Sequence, residues 1–416
     1  MASISYEELK DAVGGASPGI RLRTSLEPLG GRGDKIFPPT YVPEGRAETK
    51  YAIETRRVDG QDKLCALVDS VASQANRQEL VLLGAYRSGR LGLPVISVDF
   101  REAEGLEDLG LISDLEASHR VFDAILRDSL HDGLLFRHGA VGRAITEATP
   151  RNATALFRHA PTTLLFGGWD STGPKGGRGA KYERAITSEI VAVGIQTGKK
   201  TASRIDPLGI ERQATIYEGV DGEWTLSEEE AVKDDKGRPK AYSRSGTGDA
   251  GRPSQVNHGN IAPSIDDEAG GVTADDVIAT TVLSFIALRK LGFPAGTSAN
   301  GSDPIVREVA ARTAIAALGL AAVALSVEEG FDLRSRCVLV PTELPRFELL
   351  RRDGGDPVPF ELSGDAALDL VRESAGRASE LGLGWVEEEL LLVPTERLAE
   401  LVRRSRNLTA TNGGDD

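Results

Sequence analysis

A glycine-rich, cationic segment, Phe166–Arg184, separates an apolar run from a β-prone run. Because glycine weakens both helices and strands, a segment with this many glycines has to be a loop. Glycines also let the main chain approach a ligand closely, and the rings of Trp169 and Tyr182 can stack on unpaired bases. The segment therefore suits contact with a nucleic-acid backbone, although a solvated surface loop has the same composition.

Positive charge is concentrated in this loop and just after it. Between Ser171 and Arg204 there are seven cations and only two anions, in a chain whose formal net charge is −14. The cations are Lys175, Arg178, Lys181, Arg184, Lys199, Lys200 and Arg204. Since the sequence pI is about 5.1, we expect nucleic acid to contact a local groove rather than the whole surface.

Composition limits the cellular compartment and the chemistry. Cys65 and Cys337 are the only two cysteines among 416 residues, which excludes a disulfide framework and a zinc ribbon. The polar start, Met1–Lys10, lacks the layout of a signal peptide. The apolar run Ala314–Leu325 is shorter than the ~20 residues that span a bilayer. We therefore expect a cytoplasmic protein with no membrane role.

Strand signals lie on both sides of the glycine-rich loop. Alternating side chains predict a strand at Ile20–Leu26, with Arg21 and Arg23 on one face. Clusters of β-branched and apolar residues predict further strands at Leu93–Phe100, Thr162–Phe166, Ala185–Ile195 and Ala214–Tyr217. We expect the loop to connect the two strands that flank it.

Helical spacing of apolar side chains recurs along the chain. It predicts helices at Asp62–Tyr86, Ala117–Leu130, Thr273–Gly292, Ala314–Leu325, Ala366–Leu381 and Thr395–Arg406. In contrast, Lys233–Ser264 is rich in Gly, Pro, Ser and Asn and lacks apolar periodicity, which predicts an extended excursion from the core. No internal repeat of fixed period is visible, which argues against a solenoid or a propeller.

Catalytic motifs have no clear anchor in the chain. Gly194–Thr201 resembles a P-loop, but its glycines are too close together and Lys200 stands where Ser or Thr should hold magnesium. The five histidines form no metal-binding spacing, and neither a G-x-S-x-G elbow nor an aromatic RNP signature is present. Acids that could serve a metal-dependent nuclease are Asp69, Asp170, Asp206 and the run Asp266-Asp267-Glu268, although an acid in a loop is more often simply solvated.

Four segments, taken in order, resemble one protein family. They are Arg23-Thr-Ser-Leu-Glu-Pro-Leu-Gly-Gly with Phe37-Pro-Pro-Thr-Tyr41, Leu67–Arg77, the loop start Phe166–Thr172, and Ser203-Arg-Ile-Asp-Pro-Leu-Gly209. Together they resemble the RAMP-type backbone subunit of type I-G (formerly I-U) CRISPR effector complexes, from about Arg21 to Leu325. The sequence after about Glu343 matches no part of that family that we recognise.

This resemblance implies a fold and a domain order. It implies an α+β protein with an RRM-like (ferredoxin-like) palm, helical finger insertions and a thumb-like loop insertion. The expected divisions are a core with helical insertions at 20–232, the thumb-like insertion at 233–264, the remainder of the core at 265–342, and a C-terminal helical extension at 343–416. Lys233–Ser264 is the candidate thumb, since its cations and its Asn257–Asn260 stretch suit phosphates and hydrogen bonding.

The resemblance also implies partners and a site. The partners are a CRISPR guide RNA, the target DNA strand paired to it, further copies of the chain and other Cascade subunits, because base pairing reads the target while protein holds the guide backbone. No catalytic residue, metal or cofactor is expected. The expected RNA-binding residues are Arg21, Arg23, Lys35, Gln74, Asn76, Arg77, Trp169, Lys175, Arg178, Lys181, Arg204, Arg244, Asn257, His258 and Asn260.

Two other functions stay open from sequence. Related effector subunits cut RNA with a loop aspartate, so a metal-dependent RNA nuclease on the same fold would use Asp170. A nucleotide-binding enzyme would use the glycine-rich loop, but the failed P-loop and the missing GxGxxG motif disfavour it.

Overall fold

The computed structural model describes residues 3–42, 49–173, 179–244, 250–294 and 303–411. Ten helices occur in these residues. They are α1 (Tyr6–Gly14), α2 (Val71–Arg87), α3 (Ala124–Arg127), α4 (Ala140–Glu147), α5 (Thr154–His159), α6 (Pro161–Phe166), α7 (Phe285–Leu288), α8 (Pro304–Glu329), α9 (Gly364–Glu380) and α10 (Glu396–Thr411).

The strands are mostly short and are distributed over several sheets. They are β1 (Gly19–Pro28), β2 (Ile53–Val58), β3 (Gln61–Asp69), β4 (Ile96–Asp99), β5 (Leu111–Ser113), β6 (Ser129–His131), β7 (Leu134–Leu135), β8 (Gly168–Trp169), β9 (Lys181–Tyr182), β10 (Ile186–Val193), β11 (Gln196–Thr197), β12 (Lys200–Arg204), β13 (Tyr217–Glu218), β14 (Trp224–Thr225), β15 (Ile261–Asp266), β16 (Val272–Thr273), β17 (Asp276–Ser284), β18 (Phe331–Arg334), β19 (Cys337–Pro341), β20 (Phe347–Leu349), β21 (Val358–Phe360) and β22 (Leu390–Pro394).

The largest sheet has nine antiparallel strands. Seven follow the order β18-β19-β1-β17-β10-β3-β2, and β20 and β21 join it along β1. Arg334 of β18 donates to the carbonyl of Val68 in β3 at 2.9 Å, although these strands lie far apart in the strand order. The contact is possible because the sheet is curled.

Helices pack against one face of this sheet. The long helix α8 contacts α1, α2, α6 and α9 as well as β17. Gly319 of α8 allows a close approach, since a Cβ there would lie 3.0 Å from Leu165 and 3.2 Å from Leu283. By length and composition, α8 is the one helix among the described residues that could cross a membrane, but most of its apolar stretch is buried in the protein. It is therefore the central core helix, as the run Ala314–Leu325 predicts.

A second, five-stranded sheet has the order β5-β4-β22-β6-β7. Its middle strand comes from late in the chain: β22 is parallel to β4 and antiparallel to β6. Buried side chains of β4 and β22, including Val98 and Leu392, belong to the same apolar core as the helices.

The chain divides into two compact units. The larger contains Met1–Pro39, Ala52–Gln196 and Thr273–Arg406, and thus both sheets described above. The smaller contains the described residues of Thr40–Tyr51 and Thr197–Val272, together with residues 407–411. It is built around an antiparallel ribbon, β12 with β15, and a short hairpin, β13 with β14.

Several predicted elements are confirmed. The strands expected at Ile20–Leu26 and Ala185–Ile195 are β1 and β10, and the helices expected at Ala366–Leu381 and Thr395–Arg406 are α9 and α10. The strand signal at Leu93–Phe100 is present as the shorter β4. Arg21 and Arg23 share one face of β1, while Ile20, Leu22 and Leu26 are buried on the other.

Other predicted elements are wrong. The helix predicted at Thr273–Gly292 is instead the strand β17 followed by the short α7, because β17 is rich in β-branched residues and is paired along its length with β1 and β10. The helix predicted at Asp62–Tyr86 begins only at Val71, after β3. The strand predicted at Thr162–Phe166 is the helix α6, which begins with Pro161 and is buried on every side, so no periodicity marks it. In place of the helix predicted at Ala117–Leu130 there are a 3₁₀ turn, the short α3 and the start of β6.

Candidate nucleic-acid interface

The two ends of the glycine-rich segment pair as the strands of a short hairpin. Gly168 pairs with Tyr182 and Trp169 pairs with Lys181, as β8 and β9. The loop therefore does connect paired strands, although these are not the two strands expected from sequence. Lys175 and Arg178 lie outside the described residues, so their assignment as RNA contacts stays a prediction.

The base of the hairpin is fixed by a buried ion pair. The Arg120 guanidinium donates to both carboxylate oxygens of Glu79, at 2.6 and 2.8 Å, and to the carbonyl of Gly167 at 3.1 Å. Gly167 has a φ of 84°, a conformation that favours glycine. Tyr182 is buried and stacks on Phe122 with ring centroids 6.1 Å apart. These contacts hold both strands of the hairpin against the core.

Asp170, which follows β8, also holds the start of the loop in place. Its carboxylate is buried and accepts from Arg137 Nη2 at 2.7 Å, while Arg137 Nη1 donates to the carbonyl of Thr172 at 2.9 Å. Within the described ranges, no group of three or more His, Cys, Asp and Glu side chains is arranged to hold a metal ion. In this arrangement Asp170 is a partner of arginine rather than an open metal ligand.

Trp169 is the exposed aromatic of the hairpin. Its side chain is 47% exposed, and Lys181 Nζ lies 4.5 Å from the ring centroid. A flat ring beside an ammonium group offers a stacking surface and an electrostatic contact at one point, which is the combination that binds a nucleotide without reading its sequence.

The open face of the large sheet carries further cations. Arg21 is paired with Glu348 at 2.7 Å and Arg56 with Glu189 at 2.7 Å. Arg23, which is level with Thr280 and Glu189 in the register of the sheet, is exposed and has no hydrogen-bond or ion-pair partner in the described part of the chain. Lys35, in the loop after β1, is half-buried and has partners of its own. Arg23 is therefore the cation of this group that a phosphate could reach without displacing a carboxylate.

The predicted contacts on α2 divide into two kinds. Gln74 is buried, and its amide donates to Asp69 at 2.7 Å. Arg77 donates to the same carboxylate at 3.2 Å and to carbonyls of β18, so both side chains already stabilise the junction of β3, α2 and β18. Asn76 is exposed and stays a candidate for ligand contact.

The RNA-binding residues predicted in the smaller unit include Arg204, Asn257 and Asn260, which are hydrogen-bonded to one another's segments. Residues 204–208 and 257–260 together form one hydrogen-bonded turn. Arg204 donates to the carbonyls of Asn257 and Gly259, at 2.9 and 3.1 Å. Asn260 accepts from the main chain of Asp206 at 2.6 Å, and the Asp206 carboxylate accepts from Leu208 and Gly259. These two main-chain donors lower the pKa of Asp206 below its ordinary value.

The turn lifts apolar side chains into solvent. Ile205 is 88% exposed and Leu208 is 69% exposed, on either side of the buried Asp206. His258 lies in the same turn and donates its main-chain N–H to Pro253 at 3.0 Å. Arg244 is exposed, and its main chain donates to Gln255 at 2.9 Å. No sequence pattern points to Asp206 as the centre of this turn, because two of its partners, Gly259 and Asn260, are more than fifty residues away.

Comparison with known protein families gives a match over part of the chain. Residues 20–197 match the family described as CRISPR-associated protein GSU0053. The matched range extends from β1 to β11 and includes the glycine-rich hairpin, but it is less than half of the chain. No curated protein matches the chain significantly. The family match indicates a CRISPR-associated protein with a role in CRISPR defence.

Proposed function

We propose that this chain is a non-catalytic subunit that polymerises along a CRISPR guide RNA and forms the backbone of a DNA-targeting, type I-G surveillance complex. The observation that carries the proposal is the exposed Trp169–Lys181 pair on a hairpin with a fixed base, inside the range that matches a CRISPR-associated family. Such a pair can hold one nucleotide after another regardless of sequence, as a guide-binding subunit has to do.

The connections of the large sheet support an RRM-like palm. The four strands β19-β1-β17-β10 are adjacent in that order, α2 lies between β1 and β10 in sequence, and α8 lies between β17 and β19. This is the β-α-β-β-α-β order of a ferredoxin-like fold, with an extra hairpin strand, β3, beside β10. In this interpretation the finger insertions follow α2, and the thumb emerges between β10 and β17.

The smaller unit supplies the proposed thumb. The ribbon of β12 and β15 is exposed along almost its whole length, and its outer turn presents Ile205 and Leu208. Apolar side chains on a rigid turn can enter between bases and unstack them. The thumb proposed from the structure therefore begins earlier, near Thr197, than the Lys233–Ser264 segment that sequence composition suggests.

The buried state of Asp170 supports a non-catalytic role over the nuclease alternative. A metal ion at Asp170 would have to replace the Arg137 ion pair, which also holds the loop carbonyl of Thr172. Removing one partner of a buried ion pair is costly because the other charge is left uncompensated. The proposed function needs no such step.

Binding of unrelated single-stranded RNAs tests the proposal. We expect similar affinities for different sequences, with log K falling against log salt by about 0.7 per phosphate contact. Trp169→Ala should weaken binding by about 1–3 kcal/mol, the value typical of one stacked base. The matched control is Trp224→Ala, a second exposed tryptophan that lies on the β13–β14 hairpin beside Glu218 and Glu223. Fluorescence anisotropy measures all three proteins.

Three results would contradict the proposal. One is a strong preference for a single sequence, and another is equal loss of affinity in the two tryptophan variants. The third is cutting of the same RNAs with magnesium or manganese that disappears in Asp170→Ala, which would replace the proposal with the nuclease function.

A further inference from the structure

The outer face of the five-stranded sheet is apolar and open to solvent. Leu391 and Val393 of β22 are 44% and 58% exposed, and Leu135 of β7 is 38% exposed. Register places Val393, Leu130 and Leu135 side by side across β22, β6 and β7. Single exposed apolar residues are common on protein surfaces, but a contiguous patch on one sheet marks an interaction site.

Two depressions meet on this face. One, of about 660 Å³, is lined by Leu391 and the β6–β7 hairpin, and the other, of about 440 Å³, is lined by Pro394 and the start of α10. Val393 lines both of them. Side chains of a binding partner can therefore fill these depressions.

Acidic side chains surround the two depressions. They are Asp99, Glu102, Glu104, Asp132, Glu388 and Glu396. Asp99 and Glu396 are paired with Arg101 and Arg403. Glu102, Glu104 and Glu388 are exposed and have no ion-pair partner in the ranges that the structure describes. The rim therefore keeps an uncompensated negative charge around an apolar floor.

We propose that this face, the β22 face, docks a protein segment that presents apolar side chains flanked by lysine or arginine. The apolar floor provides the contact area, and the acidic rim selects a basic partner and orients it. The rim repels phosphates, so RNA does not suit this face. A second copy of the chain is the alternative occupant, and the self-association measurement below distinguishes it from a basic partner. This inference concerns a surface separate from the Trp169 hairpin and does not depend on the RNA-binding proposal.

Two synthetic peptides test the β22 face. Both are amphipathic helices with leucine along one side, and the other side carries lysine in the first peptide and glutamate in the second. We expect saturable binding of the lysine peptide alone, measured by fluorescence anisotropy, at concentrations below about 0.1 mM. The double variant Leu391→Thr/Val393→Thr should weaken it at least tenfold, and Glu388→Lys should weaken it severalfold.

The controls separate this face from the rest of the surface. Ile305→Thr removes an exposed apolar side chain from α8, and Glu343→Lys reverses an exposed acid elsewhere, so neither should change the affinity. Glu388→Lys changes an exposed residue before β22 and keeps the test independent of how the strand tolerates substitution. Equal binding of both peptides, no binding of the lysine peptide, or loss of self-association in the Leu391→Thr/Val393→Thr protein would overturn the proposal.

Discussion

Asp114 is a carboxyl group with almost no access to water, next to the Glu79–Arg120 ion pair. One of its oxygens accepts from the main chain of Ile96 at 3.2 Å, and the other has no hydrogen-bond partner in the described residues. Burial, with the nearby charge of Glu79, raises the pKa of Asp114 from 3.8 to about 8. Burial likewise raises the pKa of Glu79 to about 7, although Arg120 opposes the shift. Asp114 is therefore neutral near pH 7.

Asp114→Asn should change how stability depends on pH. Because the folded-state pKa lies above the unfolded-state value, the native protein keeps a proton that the unfolded chain releases, so this contribution to stability is lost as pH rises from about 3.8 to about 8. The slope is at most about 1.4 kcal/mol per pH unit. Asparagine stays neutral throughout, so we expect a flatter profile in urea unfolding at several pH values.

The control for this prediction is Asp267→Asn, which neutralises an exposed acid with the same change in charge. Identical slopes for Asp114→Asn and wild-type protein would mean that Asp114 is ionised in the native state. Glu79 and Arg120 are the other charged groups that act on Asp114, and they are unchanged in both variants.

The turn between β12 and β15 depends on one side chain. Asp206 accepts two main-chain N–H groups and is buried, whereas Ile205 and Leu208 beside it are exposed. Without the carboxylate, the donors of Leu208 and Gly259 lose their partner and the two halves of the turn are no longer joined by these bonds. The exposed position of the apolar pair therefore depends on Asp206.

Asp206→Ala should loosen this turn without unfolding the large sheet. We expect trypsin to cut faster after Arg204 and Arg212, since opening of a local segment governs its cleavage, while the thermal midpoint of the protein is unchanged. Asp221→Ala is the matched control, because Asp221 accepts a single main-chain bond, from Glu223, in the same unit. Equal cleavage rates in the two variants would contradict the role given to Asp206.

The elements that sequence patterns locate correctly are those whose neighbours do not override the pattern. β1 alternates because one of its faces is open, and α9 has one apolar stripe because its other side meets solvent. The sequence predictions are wrong at β17, which is paired with a strand on both sides, and at α6, which is buried on every side. In both segments the spacing of apolar residues does not distinguish a helix from a strand. Sequence reasoning did not identify Arg120 and Glu79 as part of the site. These two residues form an ion pair but are 41 positions apart in the chain, and no local sequence pattern encodes such a pairing.

Considered as a whole, the chain has one large apolar core and a small unit that shares little of it. Among the described residues, no member of the main core cluster comes from Thr197–Val272. The two ends of that segment are close together, since the N–H of Gly198 donates to the carbonyl of Gly271 at 2.7 Å. The segment can thus be removed with a short connection.

Replacing 199–270 by a short Gly-Ser linker should leave a folded protein. The remaining core keeps its apolar contacts, so we expect a thermal midpoint within a few degrees of the wild-type value. Multimers on RNA should be lost, because the proposed thumb is absent. Calorimetry measures the first property, and size-exclusion chromatography with electron microscopy measures the second. Regular multimers of the shortened protein along RNA would show that this unit is not the thumb.

The insertion of β22 between β4 and β6 determines when the protein can finish folding. Ser97 of β4 and Glu389, just before β22, share a hydrogen bond across 292 positions. During synthesis, β4 and β6 leave the ribosome long before β22, the strand that separates them. Until β22 is synthesised, one edge of each strand therefore has no hydrogen-bonded neighbour. A nascent chain stalled before Leu390 therefore exposes two strand edges and the apolar surface beneath Leu392, which makes it a substrate for chaperones until translation passes that point.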